Sequence, residues 1–370
     1  MENLLTNILF APFAEFCSQQ PISTKGKYMD TQRRRMFVNA GLIALGGQSI
    51  CAAASGKLPR VAIAVPGPGN LLFLPITLAH KIGADGAEGI ELDILYVGGG
   101  PQAFQEMLNR NADFSAGGLA ALGLQKTNGK PVVCIAPTTR VPAYTLVVRK
   151  ELERSVKTVR DLKGKVVGVK GHVPGGRSTS QLFTEFVLTQ GGVSSDKVNY
   201  VAVGQAYDSQ QAALLSGTVD AIMGDEPFAS RLVREKAAVV LADFHSLELT
   251  KTLLGGLFLN GQVATRDDVI ADQPEKVGKV VNTLRRALLW INSHTAQQFV
   301  DALEIDSKDE RSALLESLLL HKNIYSPDGK IFLDQVTTVS RFLHAVDKSE
   351  AVQALDLRSI VNTKWSGTSS

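Results

Sequence analysis

Cysteine is scarce in this 370-residue chain, with three in all, and aromatic residues reach only 6%. So few cysteines exclude a disulfide framework as the source of stability, which leaves the burial of a hydrophobic core. No apolar run reaches the ~18 residues that a membrane-spanning helix needs. An excess of one charge is also missing. Lys+Arg number 39 against 36 Asp+Glu, a net +3, so no nucleic-acid partner is indicated. The 44% hydrophobic and 20% charged fractions are those of a globular protein and exclude disorder as a whole-chain description. The length suggests roughly two or three domains.

Catalytic signatures are missing as well. Gly67-Pro68-Gly69 follows a predicted strand, but Leu72 stands three residues beyond Gly69 and breaks the dinucleotide fingerprint. Gly129-Lys130 runs into Pro131 and is no phosphate-binding loop. Neither a metalloprotease helix motif, nor paired C-x-x-C, nor a nucleophile elbow occurs. His80, His172, His245, His294, His321 and His344 are scattered without ligand spacing and read as solvated or internally satisfied. No metal and no cofactor is implied. The chemistry points to binding rather than turnover.

The first fifty residues read as an address. Arg33-Arg34-Arg35-Met36-Phe37-Val38 precedes the short apolar stretch 40–50 and then Ala52-Ala53-Ala54. A charged region, a short apolar region and an Ala-x-Ala site form an export signal, cleaved near Ala54. Its paired arginines resemble the twin-arginine signal, with an ordinary Sec signal as the alternative. Residues 1–28 put apolar residues ahead of the basic cluster, so Met29 is a sensible start. Cys51 invites a lipoprotein reading, but Ile50 before it is too large for a lipobox. Cleavage removes five basic and three acidic residues and leaves a net +1. It also removes Cys17 and Cys51. Cys134, in the apolar run 132–136, is then expected to be a buried, inert thiol.

Beyond the leader, short β-branched runs alternate with helical patterns. Strands are expected at 60–65, 90–97, 113–116, 131–136, 166–169, 198–203, 219–223 and 238–241, which argues for parallel α/β sheets. The segments 108–114 and 215–221 echo one another: a helix-ending Leu, a turn, then Asp113 or Asp220 heading a strand at the same spacing. Two similar lobes would produce that echo. From Arg266 the chain turns helical, over 274–291, 296–303, 307–320 and 331–346, and the tail from Trp365 reads as frayed.

Glycine and hydroxyl residues recur at strand-to-helix turns: Gly98-Gly99-Gly100, Gly117-Gly118 and Gly175-Gly176-Arg177-Ser178-Thr179-Ser180. Free N–H groups and the positive helix end make such turns anion sites, although most amount to plain caps. Ligand contact is expected at the third, where Arg177 stands with hydroxyls at one helix start.

Several of these features together resemble a known family. They are Gly100-Pro101-Gln102 with the Asp113 turn, Leu162-Lys163-Gly164-Lys165-Val166, Leu215 to Ala221 with Glu226-Pro227-Phe228, the helix ending Trp290-Ile291-Asn292, and the closing 356–362. In this order, behind an export signal, they resemble the nitrate/sulfonate/taurine, NMT1/THI5-like family of ABC-transporter substrate-binding proteins. The resemblance implies a two-lobe periplasmic-binding fold of type II, with two crossover hinge strands and C-terminal helices. Residues 58–142 and 257–362 would form lobe 1, residues 143–256 lobe 2, and residues 1–54 the leader. It implies a periplasmic monomer that captures a small anionic solute and presents it to ABC permease subunits, without catalysis. A thiamine-precursor binding or synthesis protein, or a sensing module for a membrane receptor, are the alternatives.

Carried over by position, the resemblance places Asn70 on one cleft wall and Gly118 and Leu119 at the next switch. Gly176, Arg177, Ser178 and Thr179 would supply donors from the other lobe. Asp225 is the preferred acid of the pair Asp225-Glu226, with Glu226 read as structural. Gly224 stands where many relatives carry an aromatic residue. Arg140 and Tyr144 flank the first crossover. Arg140 is read either as a bidentate anion partner or as a surface arginine, and Tyr207 has similar standing. Asp113 and Asp220 are read as structural.

Overall fold

The computed structural model describes residues 57–170 and 176–369. The export signal, the alternative start at Met29, the leader cysteines and cleavage near Ala54 lie outside the described residues, as do Gly175 and His172.

Two five-stranded sheets organise the chain. The first contains β1 (Arg60–Pro66), β2 (Glu91–Val97), β3 (Phe114–Gly118), β4 (Val132–Pro137) and β10 (Gly261–Arg266), ordered β2-β1-β3-β10-β4. The second contains β5 (Tyr144–Arg149), β6 (Val166–Val169), β7 (Asn199–Ala202), β8 (Ala221–Asp225) and β9 (Ala238–Asp243), ordered β7-β6-β8-β5-β9. The two orders have the same pattern. In each sheet the first three strands pair in parallel and one crossover strand runs against its neighbours: β10 against β3 and β4, β5 against β8 and β9. The expected all-parallel sheets are therefore mixed. A strand arriving from the other sheet needs no covering helix and enters in the opposite sense.

The sequence echo has a structural cause. The Asp113 N–H donates to the Ala62 carbonyl at 3.0 Å, and the Asp220 N–H donates to the Val166 carbonyl at 2.8 Å. Each turn thus ties the start of a strand to its parallel neighbour, β3 to β1 and β8 to β6. Asp220 also accepts from the Val166 N–H and from Arg149, while Asp113 pairs with Lys276 at 2.9 Å.

The helix Pro274–Ser293 starts with Pro at its first position, where the missing N–H costs nothing. It buries one apolar stripe, Val277, Val280, Val281, Leu284, Leu288 and Ile291, against Leu74–Lys81 and β4 of the first sheet. The tail is not frayed. Thr368–Ser369 pairs with Ile331–Phe332, Ser366 is buried, and Arg285 donates to the Trp365 carbonyl at 3.2 Å. The Trp365 ring packs at Gly278, which has no side chain to displace it. Cys134 is fully buried and its thiol is pushed up to about 12 by burial. No helix of the described residues is long and apolar enough to cross a membrane.

Candidate functional site

The carboxyl ends of β1, β3, β6 and β8 face one another between the two sheets, the position where open α/β sheets receive ligands. A narrow cavity of about 20 Å³ lies there, with room for about one water. The first lobe contributes Asn70, Phe73, Gly100, Gly117 and Gly118. The second contributes Tyr144, Lys170, Ser178, Thr179, Gln205 and Asp225, among others.

Three helices begin at this cavity. Gly100–Leu108 starts at a lining residue, Leu119–Thr127 is capped by Gly118, and Thr179–Gln190 is capped by Ser178, whose Oγ accepts from the Gln181 N–H. Their positive ends make the wall electropositive without a side chain, with the Leu119 and Gln181 N–H groups already given to the Asn260 carbonyl and Ser178 Oγ. Ser180 Oγ accepts from the Lys170 N–H at 2.9 Å and lies 3.0 Å from Ser178 Oγ. The strand end and the helix start are thereby fixed together.

Lys170 is the cation at this cavity among the described residues. It follows the last residue of β6, is 3% exposed, and pairs with Asp225 at the end of β8. Its ammonium also sits 4.9 Å from the centre of the Phe228 ring. Burial pushes the Lys170 ammonium down and the Asp225 carboxyl up, and each partner offsets part of that shift. Asn70 donates its side-chain amide to the second Asp225 oxygen, and its own Oδ1 accepts from the Leu72 N–H at 2.9 Å. Burial and the neighbouring Asp225 carboxylate both raise Tyr144, so its phenol stays protonated. Gln205 Oε1 is buried without a hydrogen-bond partner.

The lobes touch directly around this cavity. The Leu71 N–H donates to the Glu226 carbonyl at 2.9 Å. A Cβ on Gly118 would overlap Thr179 Oγ1, and a Cβ on Gly67 would fall 2.6 Å from Gln205 Cβ. Glycine at both positions permits this approach.

Of the residues expected from sequence, the structure gathers Asn70, Gly118, Tyr144, Ser178, Thr179 and Asp225 around one cavity. Leu119 instead buries its side chain in the core, and only its N–H, donated to the Asn260 carbonyl at 3.1 Å, is near the switch. Gly176 does not line the cavity. Arg177 and Arg140 are not brought to this cavity. Arg177 turns its guanidinium to Glu185, at 2.8 Å, and to Asp347, so its charge is already engaged. Arg140 donates from Nε and Nη2 to the Asn323 carbonyl at 3.2 and 3.1 Å. Tyr207 lines a separate chamber of about 270 Å³ with Pro68, Leu74, Tyr96, Phe228 and Leu314, and its hydroxyl donates to Glu235.

Sequence reasoning missed Lys170. The signal was present: one charge directly after the apolar strand Val166–Val169, at the carboxyl end where ligands bind. Sequence spacing also gave no sign that folding stacks His245 on His321, with ring centres 5.0 Å apart.

Comparison with known proteins agrees with this fold. A family model described as NMT1/THI5 like matches residues 73–297. The putative binding protein YtlA of Bacillus subtilis (strain 168) is 22% identical over 266 residues, 70% of this chain and 75% of that protein. A solved structure of a Bordetella bronchiseptica RB50 protein superposes with TM-score 0.76 at 26% identity, covering 84% of this chain and 97% of the other. The alkanesulfonate-binding protein SsuA of Xanthomonas axonopodis pv. citri, solved bound to MOPS, shares the fold with TM-score 0.65 at 17% identity, over 83% of this chain and 99% of its own. With its model matched over more than half its length and its two lobes folded as in periplasmic binding proteins, the chain belongs to the NMT1/THI5-like family.

Proposed function

We propose that the protein captures a small anionic solute of the sulfonate, taurine or nitrate class between its lobes and delivers it to an ABC importer, without catalysing a reaction. One observation carries this reading: Lys170 and the starts of three helices converge on a single interlobe cavity. An anion there receives an ammonium, the Ser178 and Thr179 hydroxyls and backbone N–H groups once the lobes part to admit it, since the cavity between the closed lobes holds about one water. Asn70, Gly118, Tyr144, Ser178, Thr179 and Asp225 are the solute contacts in this proposal, joined by Lys170, Ser180 and Gln205.

Asp225 adds a constraint. It already neutralises Lys170, so a bare anion must share the ammonium with a carboxylate. An amino-sulfonate such as taurine offers an ammonium to Asp225 and a sulfonate to Lys170, and so keeps every buried charge paired. In this reading the permease recognises the closed lobes, and the protein reaches its place of work as a monomer through the twin-arginine-like leader.

A thermal-shift panel of taurine, alkanesulfonates, nitrate, carboxylates and pyrimidines tests the proposal. A solute at ~100 times its dissociation constant adds about 2.7 kcal/mol of stability. A response to taurine or a sulfonate that Lys170→Met abolishes is the expected result. A response to neutral pyrimidines alone would replace the anion with a thiamine-precursor type of ligand.

A further inference from the structure

Beside the cleft cavity lies the larger chamber of about 270 Å³, and a solute as small as nitrate or taurine has no group to fill it. Both lobes build its wall, which is mostly aliphatic and aromatic. Leu74, Leu303 and Leu314 come from the first lobe and its C-terminal helices, and Ala206, Pro227 and Phe228 from the second. An apolar cavity of about 150 Å³ already accepts a benzene ring, so this chamber takes a ring with room to spare.

The polar groups of the chamber favour an uncharged guest. Arg231 is committed: its guanidinium lies 3.7 Å from the centre of the Tyr207 ring and pairs with Glu235 at 2.8 Å. The Tyr96 hydroxyl and Thr77 Oγ1 bond each other at 2.8 Å. Asp208 and Glu310, both exposed, have no ion-pair partner among the described residues, so the rim repels a second negative group.

Three chain segments run from the cavity into the chamber. Asn70, Gln205 and Asp225 line the cavity, and their near neighbours Gly69, Ala206 and Phe228 line the chamber. The two spaces are therefore neighbours along one seam between the lobes. The Phe228 ring borders the chamber, and the Lys170 ammonium of the cavity sits 4.9 Å from its centre. At the same seam Gln205, 7% exposed, keeps Oε1 without a hydrogen-bond partner, which calls for a donor on the guest.

We propose that the solute is an organic anion with an apolar, ring-sized tail, whose head meets Lys170 and whose tail fills the chamber between Leu74, Leu314 and Phe228. The tail assignment rests on the capture of an anion at Lys170, and it ranks tailed anions above nitrate and taurine. An N-substituted taurine meets every demand at once. Its sulfonate faces Lys170, and its secondary ammonium has two hydrogens, one for Asp225 and one for Gln205 Oε1. Its substituent leaves water for the chamber, at about fourfold in affinity for each buried methylene. A six-carbon ring buried by half gains on the order of fiftyfold.

Calorimetric titration of the purified protein with three pairs of compounds tests this. Each pair shares a head and differs by one six-carbon ring: taurine and N-cyclohexyltaurine, ethanesulfonate and 2-phenylethanesulfonate, propionate and 3-phenylpropionate. The ringed member of a sulfonate pair should bind at least about tenfold more tightly. Ala313→Phe, or Ala206→Phe at an exposed position should the first fail to fold, fills the chamber and should bring that ratio below about threefold. Equal affinities within every pair would overturn the tail assignment and leave the anion reading standing. A ratio that survives in a folded chamber-filling variant, or no binding by any compound, would overturn it as well. A ring preference confined to the carboxylate pair would keep the chamber and replace the sulfonate head.

Discussion

Asn70 and Asp225, 155 residues apart in sequence, meet between the lobes, the asparagine amide donating to a carboxylate that Lys170 already neutralises. One lobe therefore meets the buried charge pair of the other through three side chains at the bottom of the cleft.

Lys170→Met keeps the length and apolar stem of the side chain while removing its charge. Hydrogen bonds to charged groups contribute about 1.5–3 kcal/mol. The variant should therefore bind the solute found by the thermal-shift panel at least about tenfold more weakly by calorimetry. Full affinity in a folded Lys170→Met protein would remove the ammonium from the site.

Gly118 permits the close approach of Thr179. Gly118→Ala should block closure and weaken solute binding, and adding Thr179→Ala should restore part of it by clearing the space. If the single variant binds normally, the lobes do not close at this contact.

Arg177 contacts Glu185 and Asp347 rather than the cavity. Arg177→Ala should leave the dissociation constant within about twofold while lowering the melting temperature, since Glu185 loses its cation. Its guanidinium is partly exposed, so the stability loss should be modest, about 1 kcal/mol. A large loss of affinity without a loss of stability would return this arginine to the solute.

His245 makes stability fall at alkaline pH. Its folded-state pKa, raised against burial by the Asp243 and Glu226 carboxylates to about 10, exceeds the ordinary ~6.5, so its contribution is complete below ~6.5 and is lost as pH rises towards 10. Denaturant unfolding at pH 6, 8 and 10 should show this decline, and His245→Gln should flatten it. An equal decline in the variant would assign the effect to other groups.

Cys134 should be inert. With Cys17 and Cys51 replaced by serine, the native protein should not react with a thiol reagent at pH 8, and should react fully in denaturant. Burial holds its thiol up to about 12.

The sequence by itself determined the elements whose signals are local. Apolar runs at 60–65, 166–169 and 238–241 are strands because β-branched residues bounded by turns have no better conformation. The Asp113 and Asp220 turns betrayed the repeated lobe, since each heads a strand at the same place in its sheet. The glycine and hydroxyl turns marked the helix starts that now line the cavity. Tertiary structure alone decided where long charged side chains end. Arg177 stands at a helix start that faces the cleft, yet its guanidinium reaches Asp347, 170 residues away in sequence. Lys170, unremarkable in a list of lysines, is the one the fold buries beside Asp225. His245 and His321 carry no shared spacing and become partners only when the lobes meet. Short-range sterics write themselves into sequence, whereas the desolvation and pairing of charges depend on which distant surfaces fold together.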